Sequence, residues 1–154
     1  IDEMGFGMQN VIGLIKRHQI FYTKVFKKRP IFLGIKTYQL LKRIRTPKAL
    51  DDVSKMILKE IEKYDVIDKE ELKAKLKLET KVFNKAFDRL LEEMLITAVD
   101  GKKLSANWYS YLYASAKTFN KSIEGLHFSG DEKSELWKLL SSIMDQKDFS
   151  ALIG

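Results

Sequence analysis

From residue 50 onward the apolar positions recur with a helical period and then switch to alternation. Asp51 to Tyr64 puts Val53, Met56, Ile57 and Ile61 on one side, which predicts a helix. Asp68 predicts the cap of a second, shorter helix through Leu72 and Leu76, with Glu71 at its third position completing a box-like start. Thr80 predicts the cap of a third helix reaching about Leu95, with Phe83, Phe87, Leu90, Leu91 and Met94 inward. Ile96 to Val99 then reads as a strand, Asp100-Gly101 as a hairpin turn, and Leu104 to Tyr113 as the returning strand. Three helices followed by a hairpin is the order of a winged helix-turn-helix.

Upstream, Val11 to Lys28 fits one amphipathic helix. At 100° per residue, Val11, Leu14, Ile15, Phe21, Tyr22, Val25 and Phe26 share a side. Lys16, Arg17, Lys24, Lys27 and Lys28 fall together opposite them. The helix should end before Pro30, since the residue preceding a proline is pushed out of helical geometry. Ile31-Phe32-Leu33 suits either a strand or a buried connection, and Lys36 to Arg45 a short helix broken at Thr46-Pro47. Downstream, Ala114 to Ser122 and Asp131 to Met144 read as helices, the latter with Leu136, Leu139, Leu140 and Ile143 inward. The expected fold class is therefore mainly α with a small β-hairpin, a winged helix-turn-helix with flanking helices. Residues 1–48 would form a basic helical segment, 49–115 the winged-helix domain, and 116–154 C-terminal helices packing on the core.

Charge changes this picture from a fold to a partner. The chain of 154 residues carries a net charge of +7, and the excess is uneven. Residues 1–50 hold 11 Lys and Arg against 2 acidic residues, while the remaining two thirds are close to balanced. No carboxylate lies between Lys16 and Lys48. A one-signed field attracts polyanions and speeds their encounter, so DNA is the expected partner, duplex favoured, with a protein partner or a homodimer as the other class. Without cysteine there is no disulfide or thiolate metal site, and two distant histidines, His18 and His127, do not make a metal centre. No cofactor is expected. The chain has no apolar run of membrane-spanning length and no signal-like start, which points to a cytoplasmic protein, and its first residue, not Met, suggests a fragment.

The candidate contacts with nucleic acid follow from placement. Lys81, Asn84 and Lys85 lie opposite the apolar side in the first turns of the third helix, the part that enters a groove in helix-turn-helix proteins. Lysine suits phosphate and asparagine suits base edges. Asp88, Glu92 and Glu93 follow on the same exposed half and would repel a backbone lying along the helix. Lys102 and Lys103 sit just past the predicted turn, in reach of sugar-phosphate. Trp108, Tyr109, Tyr111 and Tyr113 form an aromatic patch that could stack on bases but fits core packing better. Lys16, Arg17, Lys24, Lys27 and Lys28 complete the set as a shared basic sector. No phosphate loop, zinc spacing or nucleophile motif is present, so no catalytic residue is assigned.

Two stretches carry a resemblance. The run from Phe21 through Pro30, followed by Ile31-Phe32-Leu33, resembles an aromatic-Tyr-x-Lys element and basic loop of the AlkZ-related winged-helix proteins. Phe87 to Met94, then the hairpin and Tyr109 to Tyr113, resembles the same group's winged helix and its exit. The resemblance spans about residues 15–115. It implies tandem winged helices and a link to DNA, since enzymes of the wider group resemble glycosylases acting on alkylated or cross-linked bases. Their Gln-x-Gln or Gln-x-Asp signature has no match at Gln9 or Gln19. The reading is a winged-helix DNA-binding protein, a non-catalytic relative of such glycosylases; the alternative is a winged-helix protein-protein interaction module without nucleic-acid binding.

Overall fold

The computed structural model describes residues 8–106 and 108–154. In chain order its elements are α1 (Met8–Lys16), β1 (Ile20–Thr23), β2 (Ile31–Gly34), α2 (Ile35–Ile44), α3 (Asp52–Ile61), β3 (Ile67–Asp68) and α4 (Lys69–Leu76). They continue as α5 (Thr80–Glu92), β4 (Ile96–Lys103), β5 (Tyr109–Ser115), α6 (Ala116–Asn120), α7 (Glu132–Leu140) and α8 (Gln146–Ile153). One antiparallel sheet is the pair β1-β2; the other has the order β3-β5-β4. Helices make up 49% and strands 17% of the described residues, so the expectation of a mainly α winged helix-turn-helix with one small hairpin is corrected to a mixed α/β fold with two sheets.

The correction begins at residue 17. The long helix predicted over 11–28 stops because His18 adopts a left-handed conformation, φ 56°. Its N–H donates to the Ile15 carbonyl and the Gln19 N–H to the Leu14 carbonyl, the paired bonds of a Schellman stop. Glycine usually holds that position; here histidine does, one of the side chains that tolerates it. β1 follows, and a turn with positive φ at both Lys27 and Lys28 brings the chain back as β2. Those two angles are the signature of a type I′ turn, normally filled by Asn-Gly. The basic segment 1–48 is therefore not helical throughout, and its residues 1–7 lie outside the described ones.

β1 explains why the helical reading looked consistent. Phe21 and Tyr22 are adjacent and both buried, which a helix face tolerates, but they enter opposite cores. Tyr22 joins the core of α1, α3, α4, α5 and the three-stranded sheet, where it meets Tyr111 at 5.0 Å. Phe21 joins the core under α2, α6, α7 and α8, stacked on Tyr38 at 3.7 Å and edge-on to Phe119 at 5.3 Å. Alternation along a strand between two cores produces this. The open edge of β1 is satisfied by one side chain: the Tyr22 N–H donates to Thr97 Oγ1, which donates to the Tyr22 carbonyl, both at 2.9 Å.

The second hairpin exists, but its turn is not Asp100-Gly101. Both residues lie inside β4, with Gly101 opposite Tyr111, just after a register shift between Ala98 and Asp100. The turn falls five residues later, where the Leu104 N–H donates to the Trp108 carbonyl at 2.8 Å. Asn107, within the predicted return strand, lies outside the described residues. Gly101 serves close approach: a Cβ there would overlap the Ile12 side chain of α1. Other boundaries move less. Asp51 and Asp68 cap α3 and α4 through Ser54, Glu70 and Glu71 N–H groups, whereas Glu79 and not Thr80 is the N-cap of α5. Met56, Leu139 and Ile143, expected inward, are exposed.

Candidate nucleic-acid interface

α5 is held by its apolar face. Phe83 and Phe87 stack at 5.6 Å, and Phe87 meets Tyr113 of β5 edge-on at 4.9 Å. The helix ends in a second Schellman stop, with Met94 at φ 55° and the Leu95 N–H on the Leu90 carbonyl. This anchoring leaves Lys81, Asn84 and Lys85 exposed on one side, with Asp88 next along the same stripe.

Two of the three carboxylates that follow are paired with cations. Asp88 is paired with Lys24, whose Nζ donates to Oδ1 at 2.9 Å. Lys24 is placed there by its own main chain, since its N–H and the buried Thr23 hydroxyl both donate to the Leu91 carbonyl of α5. Glu93 turns inward and is buried: Arg45 Nη1 lies 2.7 Å from Oε1, and Arg89 Nη1 lies 3.3 Å from Oε2. Glu92 alone stays half-buried in the last turn.

The shared basic sector is corrected by the end of α1. Lys16 closes that helix and Arg17 enters the turn, both exposed. Lys24 belongs to α5 through Asp88. Lys27 and Lys28 occupy the β1–β2 turn, and Lys27 pairs with Asp148 of α8 at 3.6 Å. Lys102 and Lys103 are exposed at the end of β4, before the turn and not after it, opposite Ser110 and Tyr109. The aromatic patch divides. Tyr113 is buried and Tyr111 and Tyr109 are half-buried against the first core, but Trp108 at the turn is 72% exposed. The sequence reading favoured the core for this indole; the position of the turn instead leaves it exposed at the lysine-bearing end of the hairpin. The His18 ring packs 5.1 Å from Phe119.

Burial sets the electrostatics around this frame. It pushes the Tyr111 phenol up to about 12, with Tyr22 adding to it, and Tyr113 higher still. Tyr22 is raised by burial and then by Asp88. Lys42 of α2 moves the other way: burial, then the neighbouring Arg45, lowers it to about 8, against the raising effect of Glu93. A lysine lowered in the fold costs stability below pH 8, and the cost is relieved as pH rises from about 8 towards its unfolded value near 10.5. The raised tyrosines contribute stability that is fully present below about pH 10 and lost as pH climbs through about 12. Urea unfolding followed by circular dichroism should thus rise in stability between pH 7.5 and 10, by on the order of 3 kcal/mol from Lys42, then fall. A flat profile over that interval would place the Lys42 ammonium in water.

Among the described residues no cluster of His, Asp or Glu could hold a metal ion, and no helix is long and apolar enough to cross a membrane. Comparison with protein families, with characterised proteins and with solved structures gave no match, so the interface rests on its own geometry.

Proposed function

We propose that this protein binds duplex DNA through the exposed stripe of α5 and the lysine-bearing end of the β4–β5 hairpin. The observation that carries this reading is the Lys24–Asp88 pair, which offsets the charge of the carboxylate nearest to Lys81, Asn84 and Lys85 on their stripe, Glu92 lying one turn further on. With Glu93 drawn inward by Arg45 and Arg89, the start of α5 offers cations and an amide to a groove. Lys81, Lys85, Lys102 and Lys103 serve as phosphate contacts, which fix position without reading sequence. Asn84 is the candidate for a base edge, its amide able to pair twice with adenine. Trp108 is suited to stack on a sugar or an unpaired base beside the hairpin lysines. The reading is of binding alone and assigns no base-excision chemistry.

A second reading, a protein-protein interaction module, draws on a different face. A groove between β2, α7 and α8 is lined by Phe26, Ile31, Leu33 and Met144, and Ile143 on its edge is 74% exposed.

Salt separates the two. Fluorescence anisotropy of a labelled 20-base-pair duplex at 50 and 200 mM salt should report a loss of about two orders of magnitude in affinity, because four phosphate contacts give a slope near −3.6 in log K against log salt. Single strands of equal length should bind more weakly. Absence of duplex binding at 50 mM salt, or binding indifferent to salt, would refute the proposal.

A further inference from the structure

Apart from the stripe of α5 proposed to meet DNA, a small cavity of about 240 Å³ opens between the end of α2, the segment leading into α3, Leu58 of α3 and the turn that follows α5. Its floor is apolar, made by Leu50, Leu58, Met94 and Leu95. Its polar lining is unusual in sign. Lys42, Arg45 and Lys48 line it together with a single carboxylate, Glu93.

That carboxylate is already spent. Glu93 accepts two bonds from Arg45 and a contact from Arg89, and Arg45 further donates through Nε to the Leu152 carbonyl. Asp51, the other acid that feels Arg89, is occupied by the Ser54 N–H and hydroxyl at the head of α3. Glu132 of α7, which packs on α2, pairs with Arg43 instead. Lys42 therefore forms no ion pair among the described residues. Its Nζ donates only to the Met94 carbonyl, at 2.7 Å, which the left-handed turn at Met94 presents to it. An ammonium has three donors, so two are left for another acceptor.

A mostly buried ammonium beside a guanidinium, with no carboxylate of its own, is a costly arrangement that an anion would repair. We propose that this cavity is a binding site for a small organic anion, with its charged head on Lys42 and Lys48 and a short apolar body over Leu58 and Leu95. The volume lies below the roughly 300 Å³ at which pockets begin to hold drug-sized ligands, which limits the body to a few carbons. A carboxylate and a phosphate monoester share the required chemistry. The inference does not depend on DNA binding.

The test titrates the whole protein with hexanoate, butyl phosphate, inorganic phosphate and hexanol, following amide resonances by NMR at pH 7.0 and 9.5. Saturable shifts at Leu58, Met94 and Leu95 are expected with hexanoate, butyl phosphate or both. Affinity for the bound probe should exceed that for hexanol and for inorganic phosphate at least tenfold, and Lys42→Met should weaken it at least tenfold. Binding to the unaltered protein should weaken severalfold at pH 9.5, whereas Lys42→Arg, which stays charged, should resist that change. Lys48→Met, a surface substitution, should weaken binding severalfold and gives an independent arm should Lys42→Met fold poorly. Loss of DNA binding through Lys81→Ala and Lys85→Ala should leave these titrations unchanged. Equal binding of hexanol, affinity unmoved by pH and by both lysine substitutions, or no saturable shift with either organic anion would overturn the proposal.

Discussion

Replacing Glu93 by glutamine is expected to destabilise the protein by about 3–5 kcal/mol, the usual cost of removing one partner from a buried ion pair. The loss exceeds that of the contact itself. Arg45, with its side chain only 9% exposed, would keep a buried guanidinium whose charge nothing balances, and Arg89 would lose its partner one turn away. At about 2–4 °C per kcal/mol for a chain of this size, the midpoint of thermal unfolding should fall by about 10 °C. Because Glu93 also holds the Lys42 charge in place, the Lys42 amine should titrate still lower in the variant. Glu93→Leu combined with Arg45→Met should recover much of the loss, since an apolar pair of similar volume carries no desolvation cost. Chemical denaturation of the three proteins decides it; a Glu93→Gln cost under about 1 kcal/mol would mean that water reaches the pair.

The second large effect concerns DNA. Alanine at Lys81, Lys85, Lys102 and Lys103 together should remove about 3.6 from the salt slope and weaken duplex binding at 50 mM salt at least a hundredfold. Folding should be untouched, since all four side chains are exposed. Lys24→Ala probes a subtler point. It removes a charge and leaves Asp88 unpaired, so binding should drop about tenfold, and adding Asp88→Ala should restore most of it. Equal affinity of the Lys24→Ala protein and its double variant would show that Lys24 does not act through Asp88. If the quadruple variant binds as before while Lys16, Arg17, Lys27 and Lys28 prove essential, the contact surface lies at the end of α1 and the β1–β2 turn instead.

The Lys24–Asp88 pair is a feature of the fold that the sequence does not announce. Lys24 lies 64 residues from Asp88, and no pattern in either neighbourhood announces the pair. Lys81, Asn84 and Lys85 could be read directly, because helical spacing alone separates them from Phe83, Ala86 and Phe87. Their electrostatic setting could not: Asp88 and Glu93 look alike in the sequence, and only their partners distinguish a paired surface acid from a buried one.

Local chemistry by itself determined α3, α4 and most of α5, where apolar period and polar caps at Asp51 and Asp68 agree over short distances. It also determined that the chain returns as a hairpin after α5, since alternating β-branched and aromatic residues suit a half-buried strand. Tertiary structure decided the rest where two readings were locally equal. Phe21-Tyr22 fits a helix face or a strand, and becomes a strand because each ring has a separate core to enter. Asp100-Gly101 fits a turn or an extended strand, and is a strand paired with Leu112 and Tyr111, with Ile12 of α1 in the space a Cβ at residue 101 would need. The basic residues of the first third share a sector only along a helix that His18 ends, so their grouping was a property of the projection and not of the molecule. Spacing along a chain reports which neighbours share a face; burial against a partner tens of residues away sets which face exists.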